Sequence, residues 1–358
     1  MGWFVANGRS SIGVRGTRYL ALCGVVAAAL LSAPAAAGAA SWSLQSVPPP
    51  QSPNGQGFSV SCSSSSSCMA VGFFINSLGA QQPFSEVWNG TNWTAKTVPL
   101  PSGVPFGYLR GVSCTSASGC TAVGGAGSGT SPDQPLAERW NGTSWTVQTV
   151  PTPSGQFDAT FEGVSCASAS WCTAVGSAND GTHSVALAER WNGANWAAQS
   201  IPNPAGAAEI QLNGVACRSA SVCFAVGHYT SSSSHFFPDK ALAERWNGTS
   251  WTIQSTPLPA GTGAAALTGV SCSAATACTA VGGYSTTNSF PDKTLAERWN
   301  GNSWAIQTTP NPATGSPIFS SVSCPTATDC TAVGTPIGLG STTLVEQWNG
   351  ANWTIQSL

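Results

Sequence analysis

Apolar and polar residues alternate in short runs along most of the chain, the period-two signature of strands with one covered face. Residues 162–201 show the unit. A run at 162–166 reads EGVSC, a second at 172–176 CTAVG, a third at 186–191 ALAERW and a fourth at 196–201 WAAQSI. The pattern predicts four antiparallel strands and no helix. Asn192-Gly193, between the third and fourth strands, is a hairpin dipeptide expected in a type I′ turn, where both residues take positive φ. Pro202 and Pro204 follow the fourth strand and stop it, because proline cannot donate to a ladder.

The unit occurs six times. Its first cysteines are Cys62, Cys114, Cys166, Cys217, Cys272 and Cys324; six positions later come Cys68, Cys120, Cys172, Cys223, Cys278 and Cys330. A glycine follows each second cysteine after four positions, and then, across a loop, a glutamate and two tryptophans: Glu86/Trp88/Trp93, Glu138/Trp140/Trp145, Glu189/Trp191/Trp196, Glu244/Trp246/Trp251, Glu297/Trp299/Trp304 and Glu346/Trp348/Trp353. A period of roughly 50 residues belongs to propeller blades. A single four-stranded sheet of this kind has to bury its faces on neighbouring copies. Tryptophans and aliphatic residues on both faces of the strands favour a ring of sandwiched sheets over a solenoid of hairpins. The fold expected is therefore all-β: a six-bladed β-propeller of four-stranded antiparallel blades.

The glycine pairs Gly124-Gly125 and Gly282-Gly283, and the aromatic–turn–Trp hairpin followed by Pro, resemble kelch-type blades of galactose-oxidase-like propellers. The Asn-Gly-Thr-Ser-Trp hairpin is similar to the Asp-box of sialidase-like propellers, although Trp140 stands where that motif has its aspartate. The whole repeat also resembles secreted bacterial Cys-x5-Cys/WNGxxW proteins, over about residues 41–358. These likenesses imply a fold and leave the activity open.

The N-terminus reads as a secretory leader over residues 1–40: Arg9, Arg15 and Arg18, an apolar run too short for a membrane span, and small residues with cleavage expected after Ala37, Ala39 or Ala40. Residues 41–47 (SWSLQSV) copy a fourth strand ahead of the first complete unit, so 41–358 is expected as one domain with an orphan strand. Cys23 departs with the leader. The remaining twelve cysteines, evenly paired in an exported chain, predict one disulfide per blade rather than zinc, whose ligand spacings and histidine partners are missing.

Only 7 % of residues are charged, yet 15 Trp and 13 Phe set the chain apart from disordered sequences. With a formal net charge of −2 and no basic block, nucleic acid is not an expected partner. A secreted, extracellular monomer with no cofactor, no metal and no transmembrane anchor in the mature chain is expected.

Length varies mainly in the loop between the second and third strands, which predicts a constant face of turns and a variable face suited to binding. The candidate ligand contacts there are His228, Tyr229, His235, Phe236, Phe237, Asp239 and Lys240 in the fourth unit, and Tyr284, Phe290, Asp292 and Lys293 in the fifth. Trp171, without a counterpart in other units, is expected exposed. The paired tryptophans are assigned to the core between blades. The six glutamates, on third strands far from the axis, are too dispersed for catalytic carboxylates. The arginines beside four of them point to solvated or inter-blade ion pairs. Three histidines in two loops form no Ser–His–acid set, and copper chemistry of the galactose-oxidase type finds no free cysteine in the mature chain. The sequence favours a non-catalytic binding or scaffold protein for a glycan or an extracellular protein. An extracellular glycoside hydrolase or lyase and a purely structural envelope protein are the alternatives.

Overall fold

The computed structural model describes residues 55–128, 134–231, 240–287, 292–312, 316–337 and 343–357, together with the paired two-residue strands Trp3–Phe4 and Leu44–Gln45. The rest of residues 1–40, expected as a leader, and of the 41–47 segment lies outside the described residues. The protein is a six-bladed β-propeller, each blade a four-stranded antiparallel sheet in sequence order. The third blade is typical, with strands Phe157–Ser168, Trp171–Asn179, Ser184–Trp191 and Trp196–Ala198. The two inner strands extend several residues past the runs read from the sequence. The fourth is only three residues long, because Gln199 keeps a single ladder bond to Ala188 before the prolines intervene.

Each cysteine pair forms a disulfide across its own hairpin, with Cα atoms 3.9–4.1 Å apart in the six blades. The Asn-Gly turns differ from expectation. The glycines take φ of 94–102°, but among the described residues Asp158 is the only non-glycine with positive φ, so the asparagines do not form type I′ turns. They act through their side chains instead. Asn141 Oδ1 accepts from the backbone N–H of Thr143 and Ser144 and from the Thr143 hydroxyl, at 2.8–2.9 Å. An Asx-type cap therefore replaces the strained backbone.

A bulge breaks the pairing of first and second strands at one register in every blade, as between Leu109 and Gly111 or Leu212 and Gly214. The bulge presses a first-strand carbonyl against the glycine of Ala-Val-Gly. A Cβ on Gly124 would overlap the Tyr108 carbonyl, and one on Gly176 that of Thr160. This close approach explains the repeated glycine.

Blades pack face to face. Val123 and Ala137 of the second blade lie against Phe161, Leu187, Trp191 and Trp196 of the third, and the Trp pairs of the second to sixth blades each face the blade before them. Gly111, Gly163, Gly214 and Gly269 let successive inner strands approach closely; a Cβ on Gly111 would lie 3.1 Å from the Gly163 Cα. Serine hydroxyls tie the seams: Cys114 N–H donates to Ser61 Oγ (2.9 Å), Cys166 to Ser113 (3.0 Å), Cys217 to Ser165 (2.9 Å) and Cys324 to Ser271 (3.0 Å).

Five seams pack closely, four of them with the serine tie and the fourth-to-fifth with Ala216 in its place; the closing one does not. First strands run side by side from the first blade to the sixth, but Ser316–Thr326 does not lie along Gln56–Ser64. Gly57 stands where the other blades place Leu109, Phe161, Leu212, Leu267 or Phe319. Val60 is 39 % exposed, whereas its counterpart Val112 is 6 % exposed. Ser321 and Ser323 are exposed too. Among the described residues this seam is looser than the other five, because the facing residues of the two blades lack the bulk and glycines of the others.

Candidate functional site at the inner rim

The bulge decides what the ring presents at its inner edge. An extra residue in one strand is left unpaired and its side chain is re-aimed. In order around the ring the bulged residues are Phe58, Arg110, Glu162, Asn213, Thr268 and Ser320, six different side chains directly ahead of a repeated Gly/Ser-Val-Ser/Ala-Cys segment. They sit in the half of each first strand nearer the variable loops.

Several reach across to the next blade. The Arg110 guanidinium lies 4.5 Å from the Phe58 ring centroid and 5.2 Å from that of Tyr108, and its Nε is 3.7 Å from Glu162 Oε2. Asn213 Nδ2 donates to the Leu267 carbonyl (2.8 Å) and lies 3.4 Å from His228 Nδ1. Thr268 Oγ1 donates to the Phe319 carbonyl at 2.7 Å. Phe58 stacks on Phe73 (5.6 Å between centroids), and Phe106 meets Tyr108 edge-on at 6.0 Å. The result is an aromatic shelf with a cation on it and a carboxyl, an amide and an imidazole beyond. Burial pushes the Glu162 carboxyl up, and Arg110 partly opposes this; burial pushes the His228 imidazole down, towards its neutral form.

The residues singled out from the sequence are only partly brought together. His228 joins the rim. Tyr229 and Tyr284 pack on the cores of their seams instead. Asp292 pairs with Lys293 at 3.7 Å, and that ammonium lies 6.0 Å from the Tyr284 ring. Lys240 is exposed at the start of its strand. His235, Phe236, Phe237, Asp239 and Phe290 lie outside the described residues. Trp171 is half-buried against the fourth-blade core rather than exposed, since it begins a second strand on the turn face. The sequence reading missed Phe58, Tyr108, Arg110, Glu162 and Asn213. Their signal was the variability of the aligned first strands ahead of the repeated Gly/Ser-Val-Ser/Ala-Cys segment, which includes the bulge column and, two positions before it, the column of Tyr108. On the variable face it also passed over Leu78 and Phe157, which are exposed.

The six glutamates are buried, which corrects the reading of them as solvated or ion-paired. Both carboxyl oxygens of Glu138, Glu189, Glu244, Glu297 and Glu346 lack a hydrogen-bond partner. Burial raises each of these five to about 8, so they fold as neutral acids. The neighbouring arginines point the other way along the strand, into the following seam. Arg139 donates to the Thr121 hydroxyl (3.1 Å) and the Ala169 carbonyl (2.9 Å) and lies over the Trp191 ring at 5.1 Å. Arg245 lies over Trp299 and Arg298 over Trp348.

Among the described residues no group of three or more His, Cys, Asp or Glu could hold a metal ion, and no helix is long and apolar enough to cross a membrane. No protein-family model matches the chain, and neither does any curated protein. Solved structures do match. A GH74 xyloglucanase from Xanthomonas campestris superposes with a TM-score of 0.55 at 13 % identity, over 85 % of this chain and 45 % of the enzyme. The chain thus spans less than half the length of that relative. YCF48 bound to D1 peptide gives 0.50 at 12 % identity, over 85 % of this chain and 82 % of YCF48. SapL1 lectin in complex with alpha methyl fucoside gives 0.50 at 11 % identity, over 86 % of this chain and 96 % of the lectin. At such identities the likeness establishes the β-propeller fold.

Proposed function

We propose that this protein is a secreted, non-catalytic propeller that binds a glycan at the inner rim, on the side of the variable loops. The single observation that carries this reading is the bulge circuit. Phe58, Arg110, Glu162 and Asn213 differ from blade to blade where the residues that follow them repeat. Exposed aromatic faces pack on sugar C–H surfaces, and guanidinium, carboxyl and amide groups bracket hydroxyls. The lectin among the structural neighbours fits this reading without carrying it. Six disulfides and the leader fit an oxidising, extracellular setting.

A glycan array probed with the full chain tests the proposal. Wild type is expected to bind a defined set of sugars. Arg110→Ala and Phe58→Ala should each weaken that binding at least tenfold with Tm unchanged within about 2 °C, since both side chains are partly exposed. Unaltered binding by both variants would overturn the assignment of the site.

One observation favours a second reading. Arg110 and Glu162 are ionisable groups that converge, and the burial-raised Glu162 carboxyl resembles a general acid. Glycoside hydrolysis ordinarily takes two carboxyl groups; this pair supplies one acid, and the guanidinium, always protonated, can steady developing negative charge but cannot serve as the base. Release of reducing sugar by wild type and its loss in Glu162→Gln would establish the hydrolase.

A further inference from the structure

Four third strands carry an arginine after the buried glutamate, and three of these arginines lie over the first tryptophan of the next blade: Arg139 on Trp191, Arg245 on Trp299 and Arg298 on Trp348. In each of those three blades the indole Nε1 has no acceptor. The other three seams show the opposite state. Val87 and Gln347 replace arginine, and the tryptophans after them, Trp140 and Trp88, donate to the turn carbonyls of Ala117 (3.3 Å) and Ser65 (3.1 Å) in their own blades. Arginine and indole therefore alternate. Where the cation stacks, the indole gives up its carbonyl; in the second-to-third seam Arg139 takes that carbonyl, Ala169, itself.

Arg190 breaks the rule. It is an arginine, yet Trp246 donates to the Ala220 carbonyl at 3.0 Å as though none were present. Among the described residues the Arg190 side chain has no hydrogen bond, ion pair or ring contact. It lines a cleft of about 520 Å³ at the outer rim between the third and fourth blades, with Ala197, Gln199, Trp246, Thr249 and Ser250. The cleft opens where the fourth strand reads Trp-Ala-Ala; its equivalents read Trp-Thr-Ala, Trp-Thr-Val, Trp-Thr-Ile, Trp-Ala-Ile and Trp-Thr-Ile. No acidic side chain lines it. Glu189, the neighbour in sequence, points to the opposite face of the strand and is a neutral acid at pH 7.

We infer that this seam is a second ligand site, which takes the carboxylate of an acidic sugar such as a uronic acid residue. A guanidinium pairs with a carboxylate through two parallel hydrogen bonds, and an unpaired one beside an apolar indole edge has that capacity unspent. The Gln199 amide N–H groups and the Ser250 hydroxyl supply donors for the ring hydroxyls, Thr249 Oγ1, whose own hydrogen goes to Asn247, supplies an acceptor, and the volume suits a mono- or disaccharide. This rests on the glycan-binding reading above and places a charged subsite about the outer rim, separate from the inner one.

Calorimetric titration of the full chain with trigalacturonic acid and with neutral galactotriose tests it. Wild type is expected to bind the acidic sugar at least tenfold more tightly than the neutral one. Arg190→Gln should abolish that preference, Arg190→Lys should weaken it because a point charge loses the two-pronged geometry, and Arg139→Gln should leave it intact. The double variant Ala197→Thr/Ala198→Ile, which restores the fourth-blade sequence, should also weaken it by narrowing the cleft, and guards against a fold defect in Arg190→Gln. Equal binding of both sugars by wild type, or an unchanged preference in Arg190→Gln, would overturn the inference. Arg110→Ala separates the two sites: loss of inner-rim binding with the acidic preference retained leaves the outer site standing, and the reverse pattern in Arg190→Gln leaves the inner one.

Discussion

The seam between the second and third blades and the seam that should close the ring are made from the same repeat, and they differ in what fills them. In the first, Phe161 is fully buried against Val123 and Ala137, Gly111 and Gly163 bring the inner strands together, and Ser113 accepts from the Cys166 N–H. In the second, Gly57 replaces the large core residue, Ser321 and Ser59 replace the glycines, and Val60 stays 39 % exposed. The difference teaches that a blade is a sheet by local pairing but a propeller member only through its faces. Strand pairing and the disulfide persist in the first and sixth blades without a full seam between them.

The largest effect should come from the core residue. Phe161→Ala is expected to cost about 3–5 kcal/mol in denaturant unfolding, because a fully buried ring leaves a cavity between two blades. Val60→Ala, at the closing seam, should cost less than about 1 kcal/mol, as for a partly exposed site. Equal losses would mean that the closing seam is packed in solution.

The buried glutamates give a second contrast, this time along pH. The unfolded chain keeps a proton on Glu189 only below its ordinary value of 4.5, while the folded chain keeps it up to about 8. Folding therefore takes up protons between those values. Stability should be fullest below about pH 4.5 and decline as pH rises towards 8, with one such group contributing a slope of at most about 1.4 kcal/mol per pH unit. Glu189→Gln keeps the shape without the titration. Thermal melts across pH 5–9 should show a shallower decline for this variant than for wild type. Parallel curves would show that Glu189 finds a partner in solution.

Much of this was legible in the sequence because it is written six times. Cysteine spacing, the Ala-Val-Gly glycine and the Trp pairs report contacts that every blade makes, so strand order, disulfides and the buried tryptophans follow from repetition. What was not legible depends on a local irregularity. The bulge that exposes Arg110 and Glu162 has no residue code of its own; it shows only as a column that refuses to repeat. Whether Arg190 stacks or swings free depends on which donor takes a backbone carbonyl, a competition between blades that no single strand records. The Asn-Gly dipeptide misled because the asparagine caps the turn with its side chain at ordinary φ.

The smallest contrast isolates one hydrogen bond. Ser113→Ala leaves the part-buried Cys166 N–H without its acceptor, so the loss is the partial desolvation of an orphaned donor, about 1 kcal/mol, rather than the smaller net worth of an exposed bond. Ser323→Ala removes the same hydroxyl from the same register of the sixth blade. Ser323 is exposed there, and no inner strand lies alongside to donate to it. Its loss should be within error of zero. Amide exchange gives a finer reading than melting. The Cys166 amide should lose protection by about fivefold in Ser113→Ala, which is the same ~1 kcal/mol expressed as an opening constant. Ser323→Ala should leave the Cys62 amide at its wild-type rate. A matching loss at Cys62 would place the first and sixth inner strands side by side and make the closing seam the equal of the other five.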